Sequence, residues 1–232
     1  MNGTGFQRRP SVGALRLDEC ERSARIHRDA LGMEFLARFG LPFLAAYHRA
    51  WVRSPAGLAL AARDDEGNLV GVLLGSLDPA AHYRAMLRNS GPELAVRMVG
   101  GAALRPHLAK ELAVTRAGRY SRALWRHLRG RLTNRGGRST VSASSASTVV
   151  GEVTHLMVDP AAQRSGAGRT LIDRTTELAR AGGLAKLVLV TPPDLAARSF
   201  YEALGWVSGD EVLSKSGERF VSYTLNLSDP RD

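Results

Sequence analysis

With 232 residues, 44% of them apolar, the chain is long enough to bury one full core with an elaboration and needs no covalent staples. A single cysteine, Cys20, excludes an internal disulfide framework and fits a reducing cytoplasm, the expected location. The formal net charge is +10, yet residues 1–10 lack an apolar h-region and no run approaches about eighteen uninterrupted apolar residues, so neither a signal peptide nor a membrane span is expected.

In chain order, residues 1–11 read as a polar tail and residues 12–17 alternate weakly, like a first strand. Asp18 is placed to cap a helix running to residue 30. A second helical stretch spans 34–51, with Pro42 as a kink or break. Two short apolar runs, 57–63 and 69–77, flank Asp64-Asp65-Glu66-Gly67-Asn68, which has the chemistry of a hairpin turn. After Asp78-Pro79 the period becomes helical over 80–88, 92–104 and 119–134. Residues 136–148 are rich in Gly, Ser, Thr and Ala, and their composition is that of a loop. Strand character returns over 149–158. A helix from Gly168 puts Leu171, Ile172, Thr175, Leu178 and Ala179 on one face until Gly182-Gly183 stops it. Residues 187–190 read as a buried strand, a helix follows from Asp194, and Val221, Tyr223, Leu225 and Leu227 alternate as a closing strand. This order predicts a three-layer α/β arrangement on a mixed sheet.

The charge is concentrated in one segment. Thirteen of the 32 Lys and Arg residues lie within 79–148 against only Glu93 and Glu111, so that segment carries about +11 and the rest of the chain about −1. Within it Arg119, Arg122, Arg126 and Arg129 share one helical face, with Leu124, Trp125, Leu128 and Leu132 towards the other. A solvated face is the plain reading. Contact with a phosphate of a cofactor, an anionic substrate or a membrane surface is the functional one. No DNA- or RNA-binding motif accompanies the stripe, and nucleic acid is not expected. The six histidines are scattered and His155 has no partner four residues away, so no resident metal is expected.

The most informative run is Val158 to Thr170, where an apolar strand passes into an amphipathic helix through a loop containing Gly166 and Gly168. Glycines let backbone approach a phosphate, and the first N–H groups of a helix have no partner within it. A Walker loop requires a glycine where Gln163 stands and a lysine where Arg169 stands; a dinucleotide fingerprint requires a third glycine at Leu171. Neither fits. Gln163-x-x-Gly166-x-Gly168, preceded by Leu156-x-Val158-x-Pro160, instead resembles the acyl-CoA pyrophosphate loop of the GCN5-related N-acetyltransferases, the GNAT superfamily. About thirty residues on, Asp194 to Trp206 resembles that family's Asn-x-x-Ala-x-x-Phe-Tyr-x-x-x-Gly-Phe segment, with Asp for Asn and Trp for the last Phe.

The resemblance implies a three-layer α/β/α acyl-CoA N-acyltransferase fold over residues 1–232 as a single domain. Residues 79–148 then form a basic helical insertion between the third and fourth strands, a departure from the family pattern. It implies acetyl-CoA as co-substrate, a primary amine of a small molecule or protein as acceptor, and no metal. Gln163, Arg164, Ser165, Gly166, Ala167, Gly168, Arg169 and Thr170 are expected to hold the pyrophosphate, and backbone groups of Met157 and Val158 the pantetheine arm and oxyanion. Asp194 stands where the family's Asn bonds the pantetheine, but an ionised Asp only accepts, and it equally serves as a helix cap. Tyr201 matches the family's acid for the leaving thiolate; on periodicity alone it is a core aromatic. Glu152 is the expected base, with His155 its rival. Plain alternation puts Glu152, Thr154 and Leu156 on one face and His155 on the other unless a bulge intervenes. Two other readings stay open: a CoA-binding regulatory module without turnover, and a long-chain N-acyltransferase acting at a membrane or from an acyl carrier protein. A homodimer is a further open expectation.

Overall fold

A computed structural model describes residues 9–32, 34–103, 150–193, 197–213 and 219–227. Seven strands form one sheet in the order β1-β2-β3-β4-β5-β7-β6. They are β1 (Ser11–Ala14), β2 (Gly57–Arg63), β3 (Leu69–Ser76), β4 (Val150–Val158), β5 (Lys186–Thr191), β6 (Val207–Leu213) and β7 (Arg219–Asn226). Among the described strands only β4 and β5 pair in parallel, and they are joined through helix α5 (Ala167–Ala181). Helices α1 (Cys20–Ala30), α2 (Leu41–Arg53), α3 (Pro79–Asn89) and α4 (Gly91–Ala103) bury Ile26, Leu44, Trp51 and Met86 on one face of the sheet, against Val72, Leu74 and Met157. On the other face Leu171, Ile172 and Ala179 of α5 and Tyr201 of α6 (Ala197–Glu202) pack on Leu60, Leu73, Leu187 and Tyr223. The expected three layers are therefore present, and each large apolar side chain sealed this way contributes roughly 1.5–3 kcal/mol relative to exposure.

The described part of the insertion is built into this core. Met86, Leu94, Met98 and Ala102 of α3 and α4 join the first cluster. Arg119, Arg122, Arg126, Arg129, the helix expected over 119–134 and the loop over 136–148 lie outside the described residues.

Three local expectations change. The stretch 34–51 is a short 3-10 turn, Leu36–Phe39, and then α2; Gly40 makes the corner at φ 90°, and Pro42 sits in the first turn of α2, where its missing N–H is not needed. The closing part of the chain contains an additional edge strand, β6, whose Val-Ser-Gly-Asp-Glu-Val-Leu run lacks a clear apolar alternation. Finally, Asp18 does not cap α1. A 3-10 turn, Leu17–Glu19, precedes it, and the Glu19 carboxylate accepts the Arg16 N–H at 2.8 Å while Arg63 donates to it at 2.6 and 2.8 Å.

This pairing ties the entry of α1 to β2. Burial alone would raise the Glu19 carboxyl, but the Arg63 guanidinium and the Arg16 N–H outweigh it and hold the group below its ordinary value. A depressed carboxyl stabilises the fold fully above the unfolded pKa and loses that contribution as pH falls through the lower folded value. Glu19→Gln should therefore cost ~1–3 kcal/mol at pH 7, and the deficit should shrink as urea titrations are repeated below the ordinary carboxylate range. A deficit independent of pH would assign the loss to packing.

Candidate active site

The geometry begins with a fork in the sheet. β4 pairs with β5 only at Val150↔Lys186, Gly151↔Leu187 and Glu152↔Val188, although it continues six residues further to Val158. Beyond Glu152 the strands part, and the β4 edge facing β5 carries main-chain groups with no strand to meet. Glu152 sits at the apex.

On its other edge β4 pairs with β3, and the register shifts once: His155 opposes Leu74, whereas Val153 opposes Gly75. Thr154 is the extra residue of a bulge. Its effect is visible in the packing, since Met157 belongs to the α1/α2 core and Val153, an even number of residues away, to the α5 core. The bulge therefore reverses the alternation. Glu152 and His155, expected on opposite faces, share the α1/α2 side.

The same ladder determines which amides face the fork. Asp159 donates its N–H to Val70 O at 2.8 Å, so Asp159, Met157 and His155 direct their backbone groups to β3, and Val158 and Leu156 direct theirs away from it. The Val158 backbone thus faces the opening as expected. The Met157 backbone faces β3 instead and the Leu156 backbone faces the opening, because ladder parity is a property of the backbone that residue type does not reveal.

At the open end, Asp159 accepts the Ala161 N–H at 2.9 Å and pairs with Arg22 of α1, anchoring the loop. Arg164 lies at φ 65° and Gly166 at φ 89°, turning the chain into α5. The first bond back into the helix is Thr170 N–H to Gly166 O at 3.0 Å, so the N–H groups of Gly168 and Arg169 have no carbonyl partner in the helix. Ala167 N–H reaches Ser165 Oγ at 3.4 Å, and Gln163, Arg164 and Arg169 are exposed around the turn. A helix N-terminus with two flanking guanidiniums is suited to a diphosphate. Gly168 has a second role: a Cβ there would meet Phe200 Cζ at 3.4 Å, so α6 packs directly on the start of α5.

That packing positions Tyr201. Its ring lies between Phe200, Trp206 and Tyr223, with centroids 5.2, 5.9 and 5.7 Å away, and the residue is 7% exposed. Burial pushes the phenol up to about 12, so it carries its proton at neutral pH. Among the described residues its hydroxyl has no hydrogen-bond partner, and it is not one of the sealed polar atoms. Asp194 lies outside the described residues.

The two carboxylate-or-imidazole candidates differ sharply. Glu152 is partly exposed, and Tyr83 of α3 and Thr154 donate to its Oε1 at 3.2 and 3.4 Å. His155 is sealed, 7% exposed, with Nε2 3.1 Å from the Tyr47 hydroxyl; burial, against an opposing influence from Glu34, pushes it down to about 4. Its Nε2 is engaged by a protein hydroxyl. Tyr83 and Tyr47 were invisible as site residues in the sequence, since each falls at ordinary helical spacing.

The comparisons agree with this geometry. Residues 131–206, taking in β4, α5, β5 and α6, match the family model described as Acetyltransferase (GNAT) family. A comparison with curated proteins finds no match. Among solved structures, the chain is similar to Ard1 from Thermoplasma volcanium, with 13% identity, a TM-score of 0.55, and 96% of this chain and 100% of that one covered. It is similar to a structure described as histone acetyltransferase HPA2 and related acetyltransferase from Corynebacterium glutamicum, with 16% identity, a TM-score of 0.55, and 97% and 100% covered. The ribosomal-protein-S18-alanine N-acetyltransferase from Escherichia coli gives 12% identity, a TM-score of 0.52, and 96% of each chain. The fork between β4 and β5, the glycine turn into α5 and the Phe-Tyr helix all fall within residues 131–206, the segment that is similar to the GNAT family.

Proposed function

We propose that the chain is an acetyl-CoA-dependent N-acetyltransferase that passes the acetyl group to a primary amine of a small molecule or protein. The observation that carries this reading is the fork, with outward-facing strand amides and a carboxylate at its apex, together with a helix start suited to an anion and a protonated phenol on the helix packed against that start. In this reading the amides of Leu156 and Val158 hold the pantetheine arm and the oxyanion that forms as the amine nitrogen attacks the thioester carbonyl. Glu152, directly or through one water, takes the proton the amine must lose, and Tyr201 gives its proton to the departing sulfur as the C–S bond breaks. His155 is the weaker base, since it is buried and both ring nitrogens face protein groups, Nε2 the Tyr47 hydroxyl and Nδ1 the Glu34 carboxylate. In this reading residues 79–148 are an insertion within a single domain, and its described part, residues 79–103, stands on the acceptor side, where Tyr83 reaches Glu152.

Thiol release measured against a panel of amines tests the reading. Turnover with acetyl-CoA supports it; tight CoA binding with no thiol released from any amine would point to a regulatory module, and preference for long acyl chains to a different acyltransferase. Glu152→Gln should lower kcat by ~10–100-fold with little change in acetyl-CoA affinity. Unchanged kcat under chemistry-limited conditions would remove Glu152 from the role of base.

A further inference from the structure

Acetyl transfer makes no use of the buried polar cluster on the α1/α2 side of β4. His27 of α1, Glu34 of the connector after it, His48 of α2 and His155 of β4 form one connected group. One ligand atom from each of His27, Glu34 and His155 lies within 4.8 Å of the other two. His27 Nε2 is 2.9 Å and His155 Nδ1 3.6 Å from Glu34 Oε2. Ligand atoms around a tetrahedral ion with bonds of ~2.0–2.2 Å stand about 3.3–3.6 Å apart, a spacing these distances bracket. His27 and His48 are sealed, and the Glu34 side chain, 32% exposed, is the edge nearest solvent.

The outer nitrogens are also engaged. His27 Nδ1 lies 2.9 Å from His48 Nε2, His48 Nδ1 lies 2.5 Å from Ser23 Oγ, and His155 Nε2 lies 3.1 Å from the Tyr47 hydroxyl. Both arms therefore end on hydroxyls, which can donate or accept. One set of tautomers, suited to the ion-free form, points the protons inward along each arm towards the Glu34 carboxylate. With a cation between the three inner atoms, each ring adopts the other tautomer and donates outward: His27 to His48, His48 to Ser23 and His155 to Tyr47. The proton count is identical in the two forms. Such outer partners are what orient and hold metal-ligating imidazoles.

We propose that His27, Glu34 and His155 bind a single borderline divalent transition-metal ion of the Zn²⁺ or Co²⁺ type, with water completing the coordination on the exposed Glu34 side. Two imidazole nitrogens and one carboxylate favour such an ion over Mg²⁺ or Ca²⁺, which take oxygen sets. The ion clamps α1 and the connector to β4 three residues from Glu152, fixing one wall beside the fork. This inference does not depend on the acetyl-transfer reading.

The test is a titration of tag-free, chelator-treated protein with Co²⁺, followed by visible d–d absorption, and with Zn²⁺ by calorimetry. The expected result is one equivalent of Co²⁺ bound per chain and displaced by Zn²⁺. Affinity should be largely lost in Glu34→Gln, a change on the half-exposed connector, and reduced ~10–100-fold in His48→Gln, which removes only an outer partner. Absence of saturable one-equivalent binding by the folded wild-type chain would overturn the proposal without any variant. So would binding that Glu34→Gln and His155→Asn both leave intact.

Discussion

Replacing Tyr201 by Phe is expected to lower kcat by ~10²–10⁴-fold while acetyl-CoA affinity stays within about two-fold, the signature of a group whose contribution is made in the transition state. The substitution is clean because the ring contacts to Phe200, Trp206 and Tyr223 persist and the hydroxyl that is lost has no described protein partner to strand. Tyr201→Ala is not equivalent. It opens a cavity in the α5-side core, costs ~3–5 kcal/mol of stability, and confounds chemistry with folding. Single-turnover thiol release, combined with calorimetric CoA binding, decides the matter: if Tyr201→Phe turns over at the wild-type rate in a chemistry-limited assay, Tyr201 is only a core aromatic.

The second large effect is at Gly166. A bulky residue there is expected to exclude the phosphate sterically, while the protein itself offers no clash, since none of its atoms lies within 4 Å of a Cβ built at this position. A further cost lies in the backbone. At φ 89° a β-branched residue is a genuine outlier, and L-residues already lose ~1–2 kcal/mol in that region. Gly166→Val should turn the peptide away and spoil the convergence of the Gly168 and Arg169 N–H groups. Losing one charge-assisted bond of ~1.5–3 kcal/mol weakens CoA binding ~10–100-fold. Gly166→Ala should show the same direction with a smaller loss. Gly168 is sensitive for another reason, since a branched side chain there displaces Phe200 and with it the helix carrying Tyr201. Calorimetry on folded Gly166→Val with unchanged affinity would remove the loop from phosphate binding.

Much of the fold was legible because its determinants are local. The hairpin at residues 64–68, the start of α5 after Gly166 and its stop at Gly182 each follow from a glycine or from turn chemistry, and four of the five positions expected on the inner face of α5, Leu171, Ile172, Thr175 and Ala179, are buried. Leu178, expected among them, is only half buried, because it lies at the border of that face. What could not be read depends on partners distant in sequence. Glu19, rather than Asp18, organises the entry to α1 because Arg63 waits on β2. His27, Glu34, His48 and His155 show no common spacing, and only the packing of α1 and α2 on β4 assembles them. Whether the Leu156 or the Met157 backbone faces the fork depends on a ladder bond from Asp159, which leaves no trace in side-chain type.

Thr154 has a consequence for how this strand can change over evolutionary time. Because the bulge sets Gly151–Val153 out of phase with His155–Val158, β4 behaves as two half-strands joined at a fixed offset. Point substitutions at solvent-facing positions leave that offset intact. Gain or loss of one residue between 152 and 156 does not: it would rotate the Glu152 carboxylate into the apolar layer under α5 and bring Val153 to the α1/α2 side. The length of this five-residue stretch should therefore be constrained more tightly than its composition, and tolerated insertions should fall in connections outside the strand.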